Sequence, residues 1–135
     1  TNIGAADVTE VEWITTAADK SAGFTLSVRV RWNEAVTVTG NPTLAVTNGN
    51  QGSGSGRGPH TLVYASGTGT NELVFSLAIA AANAATNAND VLTVGAQTIA
   101  LAGGTIKDTA DGTTVSARAI SGAQGTACGS ITVVA

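Results

Sequence analysis

Strict alternation of apolar and polar side chains is the clearest pattern in the chain, and it is longest at residues 24–32, FTLSVRVRW. Side chains two positions apart on a β-strand share one face of the sheet. The alternation therefore predicts a strand with one face in a core and the other in water, which we interpret as the central strand of a β-sandwich. The residues predicted to point inward are Phe24, Leu26, Val28, Val30 and Trp32.

A second alternating run, ELVFSLAIA, occupies residues 72–80. Its apolar row consists of Leu73, Phe75, Leu77 and Ile79. A β-sandwich buries the inner faces of two sheets against each other. We therefore expect this row to face the apolar row of residues 24–32, with Val28 opposite Phe75 across the core.

Apolar or β-branched residues recur in short segments elsewhere, and we interpret each segment as a short strand. The segments are residues 8–15, 36–38, 43–47, 61–65, 91–94, 98–101, 105–106, 114–120 and 131–134. In segment 114–120, Val115, Ala117 and Ala119 are expected to point inward. The last segment is expected to be an edge strand or a strand exchanged with another subunit, because an exposed apolar edge pairs readily with other strands.

The segments between the predicted strands carry turn and loop signals. Gly40-Asn41-Pro42 predicts a turn, because proline fixes φ and has no N–H to donate to a neighbouring strand. The Gly and Ser content of residues 48–60, NGNQGSGSGRGPH, predicts a flexible loop. Residues 81–90 are expected to be an irregular crossing, 108–113 a turn and 121–129 a loop. Short strands with turn signals at regular spacing are typical of a sandwich.

Composition and charge narrow the class of protein. The chain has 135 residues, enough for one domain with its own core. Charged residues make up 11% of it, less than half of the roughly 25% that is usual. The net charge of −3 argues against nucleic acid and anionic membranes as partners, since both attract basic clusters. The single cysteine, Cys128, excludes an intramolecular disulfide. The first residues show no signal-peptide pattern, but a processed secreted protein could begin in the same way, so the sequence does not decide the cellular compartment.

Few residues in the chain suggest chemistry. His60, the single histidine, follows a proline in the Gly-rich segment, and we expect an exposed loop residue rather than a catalytic or metal-binding one. Asp108 and Asp111 are weak candidates for Ca²⁺ ligands, because carboxylates around a turn supply the oxygen donors that Ca²⁺ prefers. The sequence GSGSGRG at 52–58 lacks the GK[ST] ending of a phosphate-binding loop. We predict no catalytic residues, no cofactor and no enzymatic activity.

Three segments carry motifs in a fixed order: WNEAVTVTGNPTLAV at residues 32–46, LVYASGTGTNELVFSLAI at 62–79 and LAGGTIKD at 101–108. Their order and spacing resemble a bacterial Ig-like repeat of the type found in large surface adhesins and in tailed-phage virion proteins. The first segment is similar to the repeat's E-x-V-x-V-x-G-x-P-x-L signature, and the last to its L-x-G-G-T-I-x-D close. The resemblance spans about residues 8–120. It implies an all-β, Ig-like β-sandwich of about seven to nine strands with Greek-key connections.

The resemblance also implies a protein used for structure and attachment, without enzymatic activity. The low content of charged residues favours a protein whose surface is largely covered by other proteins, because surface charge is what keeps free monomers apart. We therefore expect a phage capsid decoration (cement) protein on the virion surface, bound to the major capsid protein and to its own copies. The alternative is a bacterial surface adhesin or carbohydrate-binding module, extracellular or on the cell surface.

The expected organisation is a single domain over residues 1–135, with an N-terminal arm at 1–7 and a C-terminal extension at 121–135. The candidate interaction residues lie in the Gly-rich loop and in the last predicted strand. They are Arg57, His60, Ile131 and Val133.

Overall fold

Strands dominate the computed structural model of the chain, which confirms the predicted all-β class. The structure describes residues 6–49, 60–80, 90–109, 112–113, 115–116, 118–127 and 129–134. The elements in these residues are β1 (Val8–Trp13), β2 (Ala18–Asp19), β3 (Phe24–Thr39), β4 (Thr43–Gly49), β5 (His60–Ser66), β6 (Thr70–Ile79), β7 (Val91–Thr93), β8 (Gln97–Thr98), β9 (Thr105–Asp108), β10 (Ala119–Ile120), α1 (Gly122–Ala127) and β11 (Ser130–Val134).

A curled, mixed sheet runs in the order β1-β3-β6-β5-β4-β7-β11-β2, and β9 pairs with the second half of β3. Its neighbouring strands are antiparallel, except that β11 and β2 are parallel. β8 and β10 form a separate small sheet. The largest fully buried apolar side chains are Trp32, Phe75, Leu26, Leu44, Leu62, Leu73, Leu92, Ile99 and Ile106.

The strand predicted at residues 24–32 is confirmed as the first part of β3, which is 16 residues long. Its inward side chains are buried, apart from the half-buried Phe24. Segment 36–38 is not a separate strand, because β3 continues through it. The register shifts between Arg31 and Val36, and beyond this shift β3 pairs with β9. One long strand therefore pairs with three others, namely β1, β6 and β9.

Val28 and Phe75 are both fully buried, as predicted, but their expected placement on two facing sheets is wrong. β3 and β6 are antiparallel neighbours in the same sheet, and the two residues form a directly opposed pair. Tyr64 on β5 adds an edge-to-face contact with Phe75, with 6.3 Å between the ring centroids. Three adjacent strands therefore contribute to one apolar layer.

The turn after β3 and the turn before β9 meet at two glycines. Gly40 has a φ of 73°, and a β-carbon on it would lie 2.7 Å from the Cα atom of Gly104. A β-carbon on Gly104 would lie 2.2 Å from the carbonyl oxygen of Thr39. Both positions therefore require glycine, one for its backbone conformation as well as for space.

The C-terminal strand is internal to the sheet, so the prediction of an edge or exchanged strand is wrong. β11 pairs with β7 on one side and with β2 on the other. Ile131 and Val133 are 9% and 1% exposed, and both pack in the core of their own chain. The alternation in this segment correctly predicts that one face is buried. It does not identify the pairing strands β7 and β2, because they come from distant parts of the sequence.

The inward face predicted for segment 114–120 is also wrong. Val115 is 55% exposed and Ala119 is exposed, whereas Ser116 and Ile120 are buried. Ala117 lies outside the described residues. Val115, Ala117 and Ala119 are small, so the alternation in this segment is a weak indicator of the buried face. The larger Ile120 determines which face is buried.

The predicted loop at 121–129 contains the short helix α1, which is a further correction. Ser121 Oγ accepts a hydrogen bond from the backbone N–H of Gln124 at 3.1 Å, and Gln124 Oε1 accepts one from the N–H of Ser121 at 2.9 Å. This reciprocal pair is an S-x-x-Q capping box. Gln124 Nε2 also donates to the carbonyl of Val8 at 2.7 Å, which attaches the helix to the start of β1.

The predicted loop at 48–60 is shorter at both ends, because β4 extends to Gly49 and β5 begins at His60. Residues 50–59 lie outside the described residues. The same holds for residues 81–89 of the predicted crossing.

Candidate functional site

Five charged side chains meet on the outward face of β1, β3 and β6. They are Glu10, Glu12, Arg29, Arg31 and Glu72, and we call them the charged ladder. They come together because outward positions on adjacent antiparallel strands are neighbours in the sheet.

Arg31 is at the centre of the charged ladder. Its Nη2 atom lies 2.5 Å from Glu72 Oε1, and its Nη1 atom lies 3.3 Å from Glu10 Oε1. Arg29 donates from Nη1 to Glu12 Oε1 at 2.6 Å. The hydrogen bond and the charge of Glu72 raise the pKa of the Arg31 guanidinium above its ordinary value. The ladder therefore has three carboxylates and two guanidinium groups held in one connected set.

Next to the charged ladder lies an outward face without a charged side chain in the described residues, formed by β4, β5 and the second half of β6. Cross-strand pairs Arg29–Val74 and Val63–Ser76 make the two regions continuous. Val63, at its centre, is 39% exposed. The side chains of this uncharged face are Thr43, Ala45, Thr47, Thr61, Val63, Ala65, Val74, Ser76 and Ala78.

The outward residues of the uncharged face are small or β-branched because the strands alternate with period two. Their inward neighbours Leu44, Val46, Leu62 and Phe75 are fully buried. The result is a buried apolar layer below and a layer of short side chains above. Such a surface can approach another protein closely without taking charged groups out of water.

His60 is buried at the start of β5, which corrects the prediction of an exposed loop residue; 5% of it is exposed. Its Nε2 atom lies 3.3 Å from Asn48 Nδ2, and the same Asn48 nitrogen donates to Asp90 Oδ2 at 3.1 Å. Asp90 is fully buried. These three residues, here called the polar cluster, lie near the end of β4, at the start of β5 and directly before β7.

Burial lowers the pKa of the His60 imidazole, because the charged form loses its hydration, while the nearby charge of Asp90 acts in the opposite direction. Burial is the larger of the two effects. His60 is therefore neutral near pH 7 and can accept a hydrogen bond through Nε2.

Asp108, one of the two weak calcium candidates, points into the protein at the end of β9 and is fully buried. Its Oδ1 atom accepts hydrogen bonds from the backbone N–H of Ala6 at 3.0 Å and from Ser116 Oγ at 2.7 Å. Its Oδ2 atom is buried and has no hydrogen-bond partner among the described residues. Asp108 thereby joins the chain's start to the segment after β9.

The other candidate residues are placed as follows. Asp111 and Arg57 lie outside the described residues, so the pairing of Asp111 with Asp108 stays a prediction. Ile131 and Val133 are core positions of β11 and present no side chain to a partner. Of the four candidate interaction residues, none is placed by the described residues on an exposed surface.

The structure shows no metal centre or membrane-spanning helix in the part it describes. No group of three or more His, Cys, Asp and Glu residues in this part is arranged to hold a metal ion. Among the same residues, no helix has the length and apolar character needed to cross a bilayer.

Sequence reasoning missed both the charged ladder and the polar cluster, although each leaves a signal. The ladder residues are outward positions of strands that the alternation identifies, but their pairing depends on strand order. His60 shares its face with Leu62 and Tyr64, so extending the alternation of residues 61–65 by one position would have placed it inward.

No protein-family model, curated protein or solved structure matches this chain.

Proposed function

We propose that this chain is a non-enzymatic structural virion protein, a phage capsid decoration (cement) protein that binds the major capsid protein and its own copies. The observation that carries the proposal is the uncharged face on β4, β5 and β6. A partner of matching chemistry is a protein surface of complementary shape that also lacks charge at its centre. The three motif segments that resemble an Ig-like repeat of surface adhesins and virion proteins provide independent support.

The physical chemistry of the uncharged face favours protein contact. Charged residues are depleted at the centres of protein interfaces, because burying an ion costs more than a single pairing returns. Short side chains also lose little conformational entropy when they are covered. Repeated copies on a shell would multiply a modest contact into a stable attachment.

The charged ladder would fix the orientation of a partner bound to the uncharged face. It lies on one side of the uncharged face, and its Glu10 side chain is 51% exposed. Charges at the rim of an interface contribute to association rate and orientation more than to affinity. We assign the ladder to the rim and the uncharged face to the centre of the contact.

An Ig-like sandwich with Greek-key connections belongs to the same proposal. It is supported by the motif segments at 32–46 and 101–108, whose glycines Gly40 and Gly104 contact each other. The curled sheet with one enclosed core is compatible with a sandwich in which strands of both layers remain connected at the edges.

The experiment places the same negative charge on two exposed valines. Val63 lies at the centre of the uncharged face, and Val115 lies outside it. Wild type, Val63→Asp and Val115→Asp are incubated with phage heads that lack the decoration protein, and bound protein is measured after sedimentation. We expect Val63→Asp to lose binding and Val115→Asp to bind like wild type. Equal binding by both variants would reject the uncharged face, and failure of wild type to bind any head would reject the virion function.

A further inference from the structure

We propose that the polar cluster of Asn48, His60 and Asp90 is an acid-sensitive latch, which holds three strand ends together at neutral pH and releases them on acidification. The proposal rests on hydrogen-bond directions inside a buried site and does not depend on the proposed virion function. It concerns β4, β5 and β7, whose ends meet at this cluster.

The direction of each hydrogen bond follows from what the groups can donate. A carboxylate oxygen accepts only, so the Asn48 atom facing Asp90 Oδ2 at 3.1 Å is the amide nitrogen. The same nitrogen lies 3.3 Å from His60 Nε2. An amide nitrogen only donates, so His60 Nε2 must accept and the imidazole carries its proton on Nδ1.

Protonation of His60 breaks this arrangement. A proton on Nε2 would point at the Asn48 amide group, which would place two donors opposite each other. Rotating the amide by half a turn would let Asn48 Oδ1 accept from His60, but would then set Oδ1 against the acceptor Asp90 Oδ2. One of the two contacts of Asn48 is lost in either case, and it is lost in a buried place where water cannot replace it fully.

The charges around His60 determine the direction of the response. Asp90 is the ionisable group that acts on His60 in the described residues, from the segment before β7, and its charge raises the pKa of the imidazole. Asn48, on β4, is uncharged. Burial lowers the pKa and outweighs Asp90. The unfolded chain therefore binds a proton at higher pH than the folded one, so the stabilisation is complete above the unfolded pKa of about 6.5 and is lost as pH falls below it.

We expect the strand ends around the polar cluster to open before the whole domain unfolds. Val46 pairs with His60, Asn48 pairs with Leu92, and the Val133 N–H donates to the Asp90 carbonyl at 2.8 Å. Loss of the latch weakens the ends of β4, β5 and β7 and their junction with β11. The register of β3 and β6 does not include the cluster residues, and we expect it to stay closed.

The test uses nuclear magnetic resonance, because His60 is the single histidine and its ring signals need no assignment. We expect wild type to show the Nδ1–H tautomer at pH 7.5 and to titrate below 6.5. Amide exchange of Val133, corrected for the intrinsic rate, should rise about tenfold between pH 7.5 and 5, while that of Val28 stays constant.

Two variants separate the latch from a general effect of acid. His60→Gln offers an amide oxygen that accepts from Asn48 without titrating, so its Val133 exchange should lose the pH dependence. Asn48→Asp offers Nε2 an acceptor, so its His60 should titrate above 6.5. The proposal is overturned if wild-type His60 titrates at or above 6.5, or if His60→Gln responds to acid like wild type. Should Asn48→Asp not fold, the wild-type tautomer and titration decide alone.

Discussion

Val28 on β3 and Phe75 on β6 lie directly opposite each other on antiparallel neighbouring strands, and both side chains are fully buried. Opposed residues on one face of a sheet have their β-carbons about 4.5–5.5 Å apart, so the two side chains share their packing. The pair lies in the middle of a continuous register of eight residue pairs, which runs from Phe24–Ile79 to Arg31–Glu72. It therefore reports directly on the integrity of the sheet's central strands.

We expect Phe75→Ala to lower the free energy of unfolding by about 3–5 kcal/mol, the usual cost of removing a buried aromatic ring. Val28→Ala should cost less, because fewer buried atoms are removed. The double variant should deviate from the sum of the two, since residues in contact couple. Urea denaturation measures all three, with the exposed Val63→Ala as a control expected to change stability by less than about 0.5 kcal/mol. Additive costs would show that the two side chains do not share their packing.

Asp108 should be required for stability through its Oδ1 atom. Asp108→Ala leaves the Ala6 N–H and the Ser116 hydroxyl without their acceptor, and a buried donor without a partner costs about 1–3 kcal/mol. Ser116→Ala removes one donor and should cost less. Thermal unfolding of both single variants and of the double variant checks this, because the cost of Ser116→Ala should disappear or turn into a gain when Asp108 is already absent. A Ser116→Ala effect of equal size in both backgrounds would contradict the contact.

The internal position of β11 predicts that the C-terminal strand is needed for folding. Deleting residues 129–135 removes Ile131 and Val133 from the core and leaves β2 without the strand it pairs with. We expect the shortened chain to lose the cooperative unfolding transition seen by circular dichroism. Deleting residues 134–135 alone is the control and should preserve the transition. A folded chain that merely stops self-associating would instead support an exchanged strand.

The charged ladder should contribute stability that depends on salt. Exposed ion pairs are weak individually and are screened by added ions. Arg31→Met removes the central partner of Glu72 and Glu10, and we expect a small loss of thermal stability at low ionic strength that shrinks at 1 M NaCl. Lys107→Met, on β9 and outside the ladder, is the control. An equal loss at both salt concentrations would mean that Arg31 acts by packing of its side chain alone.

Local patterns predicted the strands well and their partners poorly. The alternation of residues 24–32 identifies the buried face of β3, because large apolar side chains alternate there with polar ones. It carries no information on whether Phe75 lies beside Val28 or across from it, since strand order is set by contacts between distant segments. The alternation of residues 114–120 predicts the wrong face for Val115, because its neighbours on both faces are small.

The features on which the proposals depend escape sequence reasoning for the same physical reason. The uncharged face depends on β4, β5 and β6 being adjacent, and the charged ladder on β1 lying next to β3. The Gly-rich neighbours of His60 predict an exposed loop residue, whereas burial by β4 and the segment before β7 determines its chemistry. The helix α1 was missed because its two glycines outweigh the capping signal of Ser121 and Gln124.

Electron microscopy of decorated phage heads tests the proposed function most directly. The reconstruction, fitted with the present structure, shows which face of the sheet lies against the shell. We expect Val63 and the other side chains of the uncharged face to contact the major capsid protein, with the charged ladder at the rim of the contact. A bound copy whose β4–β5–β6 face is turned to solvent, or heads on which the chain occupies no position, would contradict it.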